Sequence, residues 1–171
     1  MRLWLYILLG LQLVPLAVLA EETEVLAVIV PKSENLRNPS KAELALIFWR
    51  KKLYWGSGRR IGPVNLLPSN GLRRRFSQVI LDSLPEDQVE YWNALYFHGT
   101  TPPHVVRSQE AMLRYVAETP GSIGYVDACQ VDVRVKAVVW LLADGSLVYA
   151  QPVLSCFGCA CFYQKINECD T

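Results

Sequence analysis

The chain has 171 residues, a length that suits one compact domain with a substantial core. It carries 17 Lys and Arg residues against 16 Asp and Glu residues, which gives a formal net charge of +1. A protein that binds nucleic acid is usually strongly basic, so this balance argues against a nucleic-acid partner.

The first 20 residues, MRLWLYILLGLQLVPLAVLA, are predicted to be a secretory signal peptide. They carry one charge, Arg2, and end in small residues before the acidic Glu21. An uncleaved membrane anchor is the alternative, but Gln12 and Pro15 interrupt a span that is barely long enough to cross a bilayer. We therefore expect a periplasmic or secreted protein whose basic and acidic residues balance after cleavage.

Strand and helix signals alternate along residues 25–126. Short apolar runs predict strands at 25–30, 61–67 and 122–126, the last with Gly124 where close backbone approach is needed. Apolar residues at helical spacing predict helices at 41–52, 72–80, 85–96 and 109–118, and Ser40, Ser83 and Ser108 are their predicted caps or capping-box residues. This alternation predicts an α/β domain over residues 21–130.

Residues 131–171 are predicted to form a C-terminal extension. Asp144-Gly145 is a hairpin turn signal between WLLA and SLVYA, and a Cys-rich tail follows. The cysteines of the chain are Cys129, Cys156, Cys159, Cys161 and Cys169. Export permits disulfides, and the open interpretations are disulfides or structural thiols, a metal site, and a tail without a selected function. We assign no metal ligand among them.

No pattern in the chain indicates catalysis. His98 and His104 flank a turn-rich loop and lack the spacing of metal ligands on a helix. The chain contains no nucleophile elbow, Walker loop or dinucleotide fingerprint. We predict that the protein is not an enzyme and needs no cofactor.

The turn before the second predicted helix is a candidate oxyanion site. Ser69 and Asn70 carry side-chain donors, Gly71 permits close approach, and Arg73 adds positive charge in the first turn. Backbone N–H groups at a helix start also favour an anion. The alternative is that Ser69 or Asn70 only caps the helix and that the arginines are solvated.

Three stretches resemble the phosphate ABC-transporter substrate-binding protein family, whose fold is the type II periplasmic binding protein. They are VLAVIV, then ELALIFWRKKLYWGSGRRIGPVNLLPSNGLRRRF, and finally AMLRYVAETPGSIGYV, in this order over residues 25–126. Family members clamp phosphate between two lobes, and the matching stretch resembles the second lobe. The resemblance therefore implies a short member with a single lobe of that fold, followed by the hairpin and the Cys-rich tail.

The family's phosphate motif is altered in this chain. Counted back from Phe76, the pattern R-x-D-x-S-G-T falls on Leu66, Pro68, Asn70, Gly71 and Leu72, where only the glycine matches. Ser69 and Arg73 lie next to the altered positions. The resemblance implies reversible binding of phosphate or a similar oxyanion by Ser69, Asn70, Gly71 and Arg73.

The alternative function is an interaction module of the same fold that has lost its ligand. Such a module would offer an aromatic face to a membrane transporter or a sensor protein. The candidate aromatic residues are Trp49, Tyr54, Trp55 and Tyr91.

Overall fold

The computed structural model describes residues 25–152 and the backbone of residues 154–157 and 160–163. The predicted signal peptide lies outside the described residues, and so do the side chains of the four C-terminal cysteines. Among the helices that are described, none is long and apolar enough to cross a bilayer.

A mixed sheet of six strands forms the centre of the domain. The strands are β1 (Leu26–Pro31), β2 (Gly62–Leu66), β3 (His104–Val106), β4 (Ser122–Asp127), β5 (Val135–Leu141) and β6 (Leu147–Val148). Their order is β3-β2-β4-β1-β5-β6. β2 is parallel to β3 and β4, whereas β1 is antiparallel to β4 and β5, and β6 is antiparallel to β5. A separate hairpin pairs β7 (Leu154–Phe157) with β8 (Ala160–Tyr163).

Every residue of β1 is buried, as its continuous apolar sequence predicts. The strand lies between β4 and β5 and forms hydrogen bonds with both. The strands predicted at 25–30, 61–67 and 122–126 are all confirmed, each within about two residues of its predicted ends.

In the described part of the chain, four α-helices flank the sheet: α1 (Lys41–Phe48), α2 (Gly71–Phe76), α3 (Val89–Tyr96) and α4 (Gln109–Glu118). A π-helical turn over Ser77–Leu81 extends α2, and a 3₁₀ turn over Pro85–Gln88 precedes α3. Ser40 and Ser108 cap α1 and α4, each accepting a hydrogen bond from the backbone N–H three residues later.

Two of the helix predictions need correction. α1 ends at Phe48, four residues before the predicted end, because the chain turns at Arg50, whose φ of 58° lies in the left-handed region. Ser83 does not cap the segment before α3, since its hydroxyl donates to the carbonyl of Leu84 and no side chain caps the 3₁₀ turn.

The helices lie on both faces of the sheet. On β4, neighbouring residues point to opposite faces, and Gly124 and Tyr125 show what covers each. A Cβ at Gly124 would overlap the sulfur of Met112 in α4, so the predicted close approach at this glycine is real. On the other face the Tyr125 ring stacks on Phe76, with centroids 4.1 Å apart, and Phe76 contacts Phe48 of α1.

The predicted hairpin around Asp144-Gly145 is formed by β5 and β6. Because β5 pairs with β1 through six residue pairs, the central sheet continues past residue 130, where we expected the α/β domain to end. Just before β5, Cys129 is disulfide-bonded.

Candidate functional site

A cavity of about 250 Å³ lies beside the carboxyl end of β2, at Asn65 and Leu66, and is also lined by Val105 of the parallel strand β3. Open α/β sheets commonly bind ligands at this end of their strands. The polar lining side chains are Asn65, Arg73, Gln88 and Asn93. The rest of the lining is apolar and includes four prolines and Trp92 of α3.

Arg73 is the only charged residue in this lining, and it is 6% exposed. Its guanidinium donates one hydrogen bond to Oδ1 of Asn65 and another, of 2.9 Å, to Oε1 of Gln88. Both acceptors are neutral amides, and no carboxylate among the described residues forms an ion pair with Arg73. A buried cation without a countercharge is costly, because water no longer stabilises the charge.

The fold fixes the direction of this guanidinium through Asn65 and Tyr125. Oδ1 of Asn65 also accepts a hydrogen bond of 3.2 Å from the Tyr125 hydroxyl, which in turn accepts from the N–H of Leu66. Burial is the main cause that raises the pKa of Tyr125 to about 12, so this hydroxyl is neutral at physiological pH. The hydroxyl therefore acts as a donor that holds the Asn65 side chain in place.

The turn at residues 69–71 begins α2 and thereby positions Arg73. Asn70 is the helix cap, and its Oδ1 accepts from the N–H groups of Leu72 and Arg73 at 2.9 and 3.4 Å. Ser69 and Gly71 are exposed, and open space surrounds the position of a Cβ at Gly71. The structure thus places Arg73 at the cavity, and the other three predicted site residues in the turn that leads to it.

The three consecutive arginines have three different environments. Arg73 points inward, whereas Arg74 on the surface forms two hydrogen bonds of 2.8 and 2.9 Å with the carboxylate of Glu86. Arg75 donates to the carbonyl of Leu142, which follows β5. Only Arg73 combines burial with a place in the cavity lining.

Most of the aromatic residues predicted to form an interaction face are at least partly buried. Trp55 is 5% exposed and donates its indole N–H to the carbonyl of Gly121. Trp49 and Tyr91 are half-buried against each other, and only Tyr54 is largely exposed. The most exposed aromatic side chains among the described residues are instead Tyr96 and Phe97, at 67% and 86%.

Sequence reasoning did not identify Asn65, Gln88 or Trp92 as site residues. Asn65 left a detectable signal, because it is the lone polar side chain in the apolar run IGPVNLL. A polar side chain inside a buried strand needs a partner, which here is Arg73 together with Tyr125. Gln88 and Trp92 gave no comparable signal, since polar and apolar residues alternate in the amphipathic segment that carries them.

No protein-family model and no curated protein matches this chain. Solved structures do match it. An ABC-type phosphate transport receptor from Vibrio cholerae matches with a TM-score of 0.54 and 20% identity, over 68% of this chain and 46% of the receptor. A putative phosphate ABC transporter substrate-binding protein with bound phosphate, from Clostridium perfringens, matches with a TM-score of 0.56 and 18% identity, over 68% of this chain and 44% of that protein.

The domain has part of the type II periplasmic-binding-protein fold. The predicted fold class is therefore confirmed for the sheet and its helices. The chain spans less than half the length of these solved structures. At 18–20% identity the likeness concerns the fold, so ligand and partners depend on the site itself.

Proposed function

We propose that the protein is an exported solute-binding protein that binds phosphate or a similar oxyanion reversibly and catalyses no reaction. The observation that carries this proposal is the buried guanidinium of Arg73, which lines a cavity and has only neutral hydrogen-bond partners. An anion in the cavity supplies the missing countercharge, and charge-assisted hydrogen bonds to a guanidinium are among the strongest in proteins. The matching solved structures are a phosphate transport receptor and a substrate-binding protein with bound phosphate, which agrees with this ligand class.

Each residue of the cluster has a separate task in this proposal. Arg73 holds the anion, and the amides of Asn65 and Gln88 hold its guanidinium in one orientation. A guanidinium has five N–H donors, of which these two bonds use two, so donors are available to the ligand. Ser69, Asn70 and Gly71 form the turn that positions Arg73 at the start of α2. The apolar wall of Trp92 and the prolines reduces the access of water.

The expected affinity is modest. The cavity is formed by one lobe, and one guanidinium supplies its charge. A few hydrogen bonds in a partly hydrated site give only a few kcal/mol of net binding free energy, so we expect a dissociation constant on the order of 0.1–10 mM.

Amide NMR titration of the purified protein with phosphate and with sulfate tests the proposal. Either anion should move the signals of residues 65–73 and of 88–93, with saturation in the expected range, while sodium chloride at the same ionic strength leaves them in place. If a 20-fold excess over that range moves none of these signals, the protein does not bind such an anion at Arg73.

An interaction module is the second candidate function, and the exposed end of α3 favours it. Tyr96 and Phe97 stand in solvent, and Val89 at the start of the same helix is 56% exposed. Exposed aromatic residues are enriched at protein interfaces. In this version the lobe binds no anion, and α3 contacts a membrane transporter or a sensor protein. The anion titration separates the two functions, because only the first requires a ligand at Arg73.

A further inference from the structure

A second and larger cavity, of about 550 Å³, lies at the amino ends of β2 and β3. Its volume is within the range of small-molecule sites, about 300–1,000 Å³. The residues that matter for its chemistry are Arg50, Arg60, His104 and Tyr115. Arg73 and its hydrogen-bond partners do not line it.

Arg50 is held in this cavity in an unusual conformation. Its φ of 58° is one that a residue with a side chain rarely adopts, and such conformations occur often at functional sites. One terminal nitrogen of its guanidinium donates to the carbonyl of Ile61 at 3.1 Å. Its Nε is buried and has no hydrogen-bond partner among the described residues. A buried donor without an acceptor is rare in native proteins, and this one is free to donate to a ligand in the cavity.

Arg60 brings a second positive charge to the same cavity. No described carboxylate forms an ion pair with Arg50 or with Arg60. The neighbouring Arg59 differs, because it donates to the carboxylate of Glu34 at 3.0 Å. Burial, and then the positive charge of Arg60, lower the pKa of Arg50 below its usual range. Two like charges placed together without an acid favour a ligand with more than one negative charge.

The remaining wall suits a flat apolar group. The rings of His104 and Tyr115 stack with their centroids 4.7 Å apart, and Pro102, Pro103 and Pro120 line the cavity beside them. The cavity has about twice the volume of the one at Arg73, which is more than a bare inorganic anion fills.

We infer that this cavity binds a phosphate monoester that carries a ring, with its phosphate between Arg50 and Arg60 and its ring against Tyr115 and the prolines. The dianionic phosphate neutralises both guanidinium groups and offers an oxygen to the buried Nε of Arg50. The ring covers the apolar wall and displaces water from it. The two cavities share Pro102 and Pro103 in their linings, but Arg50 and Arg60 line only this one and Arg73 lines only the other.

Phenyl phosphate is the probe that tests the inference, with inorganic phosphate and phenol as its two halves. Phenyl phosphate should move the amide signals of residues 60–62, 104 and 115, and it should bind this cavity at least tenfold more tightly than inorganic phosphate or phenol does. Equal binding of inorganic phosphate would contradict the contribution of the ring. An absence of shifts at these residues in 20 mM phenyl phosphate would overturn the site.

Two substitutions locate the binding. Arg60→Gln alters an exposed side chain, so the variant should fold normally and bind phenyl phosphate about tenfold more weakly. Arg50→Gln should weaken binding further, and if it fails to fold, Arg60→Gln alone still decides the question. Arg74→Gln is the matched control, because Arg74 pairs with Glu86 at the surface and does not line this cavity, so this variant should leave the shifts unchanged. Unchanged affinity in Arg60→Gln would refute the inference.

Discussion

Replacing Arg73 with glutamine should remove most of the thermal stabilisation that phosphate gives the protein. Ligand binding stabilises the folded state by RT ln(1 + [L]/Kd). For a dissociation constant of about 1 mM, 50 mM phosphate adds about 2.3 kcal/mol to the free energy of unfolding of the wild type. At about 4 °C per kcal/mol for a domain of this size, the Tm should rise by about 9 °C.

The loss of phosphate-induced stabilisation expected for Arg73→Gln follows from the contacts of the guanidinium. Arg73 is the sole charged group in the cavity lining, so the glutamine variant loses charge-assisted hydrogen bonds to the anion. One such bond contributes about 1.5–3 kcal/mol, which raises the dissociation constant about 10- to 100-fold. In 50 mM phosphate the stabilisation then falls to about 0.2–1 kcal/mol, and the rise in Tm to about 1–4 °C.

Differential scanning calorimetry in phosphate and in chloride at equal ionic strength measures this difference directly. Arg74→Gln is the matched control, because Arg74 is adjacent in sequence but pairs with Glu86 on the surface. That control should keep the full response to phosphate, whatever its effect on the Tm in chloride. If Arg73→Gln gains as much stability from phosphate as the wild type does, the anion does not bind at the buried guanidinium.

Three further predictions concern stability. Gly124→Val should lower the free energy of unfolding in urea by about 1–3 kcal/mol or prevent folding, because the added side chain overlaps α4; an unchanged midpoint would contradict this packing. Hydrogen bonds from Arg134 lower the pKa values of Glu110 and Asp132, so their stabilisation is present above the unfolded-state values near pH 4 and is lost as the pH falls through the folded-state values. Urea unfolding from pH 7 to pH 3 should show this loss, and Arg134→Gln should reduce it; an equal loss in the variant would contradict the assignment. A chain without its C-terminal tail should still unfold cooperatively in urea, because the described sheet and helices form the core; a truncated chain without a cooperative transition would show that the tail is required for folding.

Local sequence signals were sufficient to predict most of the helices and strands. The continuous apolar run of β1 predicted a strand buried on both faces, and Ser40 and Ser108 marked the helix starts that the structure has. Gly124 marked a close approach between β4 and α4. These features depend on contacts within a few residues or on burial of a whole segment, which the sequence pattern records directly.

The features of the sheet that the sequence did not reveal depend on pairing between distant segments. β3 has three residues, too few for an alternation pattern, and it exists because it pairs with β2 in parallel. The place of β5 beside β1 joins segments that are about 100 residues apart in the chain, so its alternating sequence gave no indication that it belongs to the central sheet. Interactions of this kind are decided by the whole sheet rather than by the local sequence.

In the candidate site, too, the local sequence did not reveal a long-range interaction, here that of a single side chain. Position 73 follows the turn just as position 74 does, and both are arginines in the first turns of α2. Arg73 turns inward because Asn65 on β2 and Gln88 before α3 offer acceptors, whereas Arg74 meets Glu86 at the surface. All three acceptors come from other elements, so the sequence placed the arginines in the right helix but did not distinguish the buried one. A buried arginine whose partners are all neutral is also the feature that separates a binding site from a helix start, because a capped helix needs Asn70 but has no need of a desolvated charge.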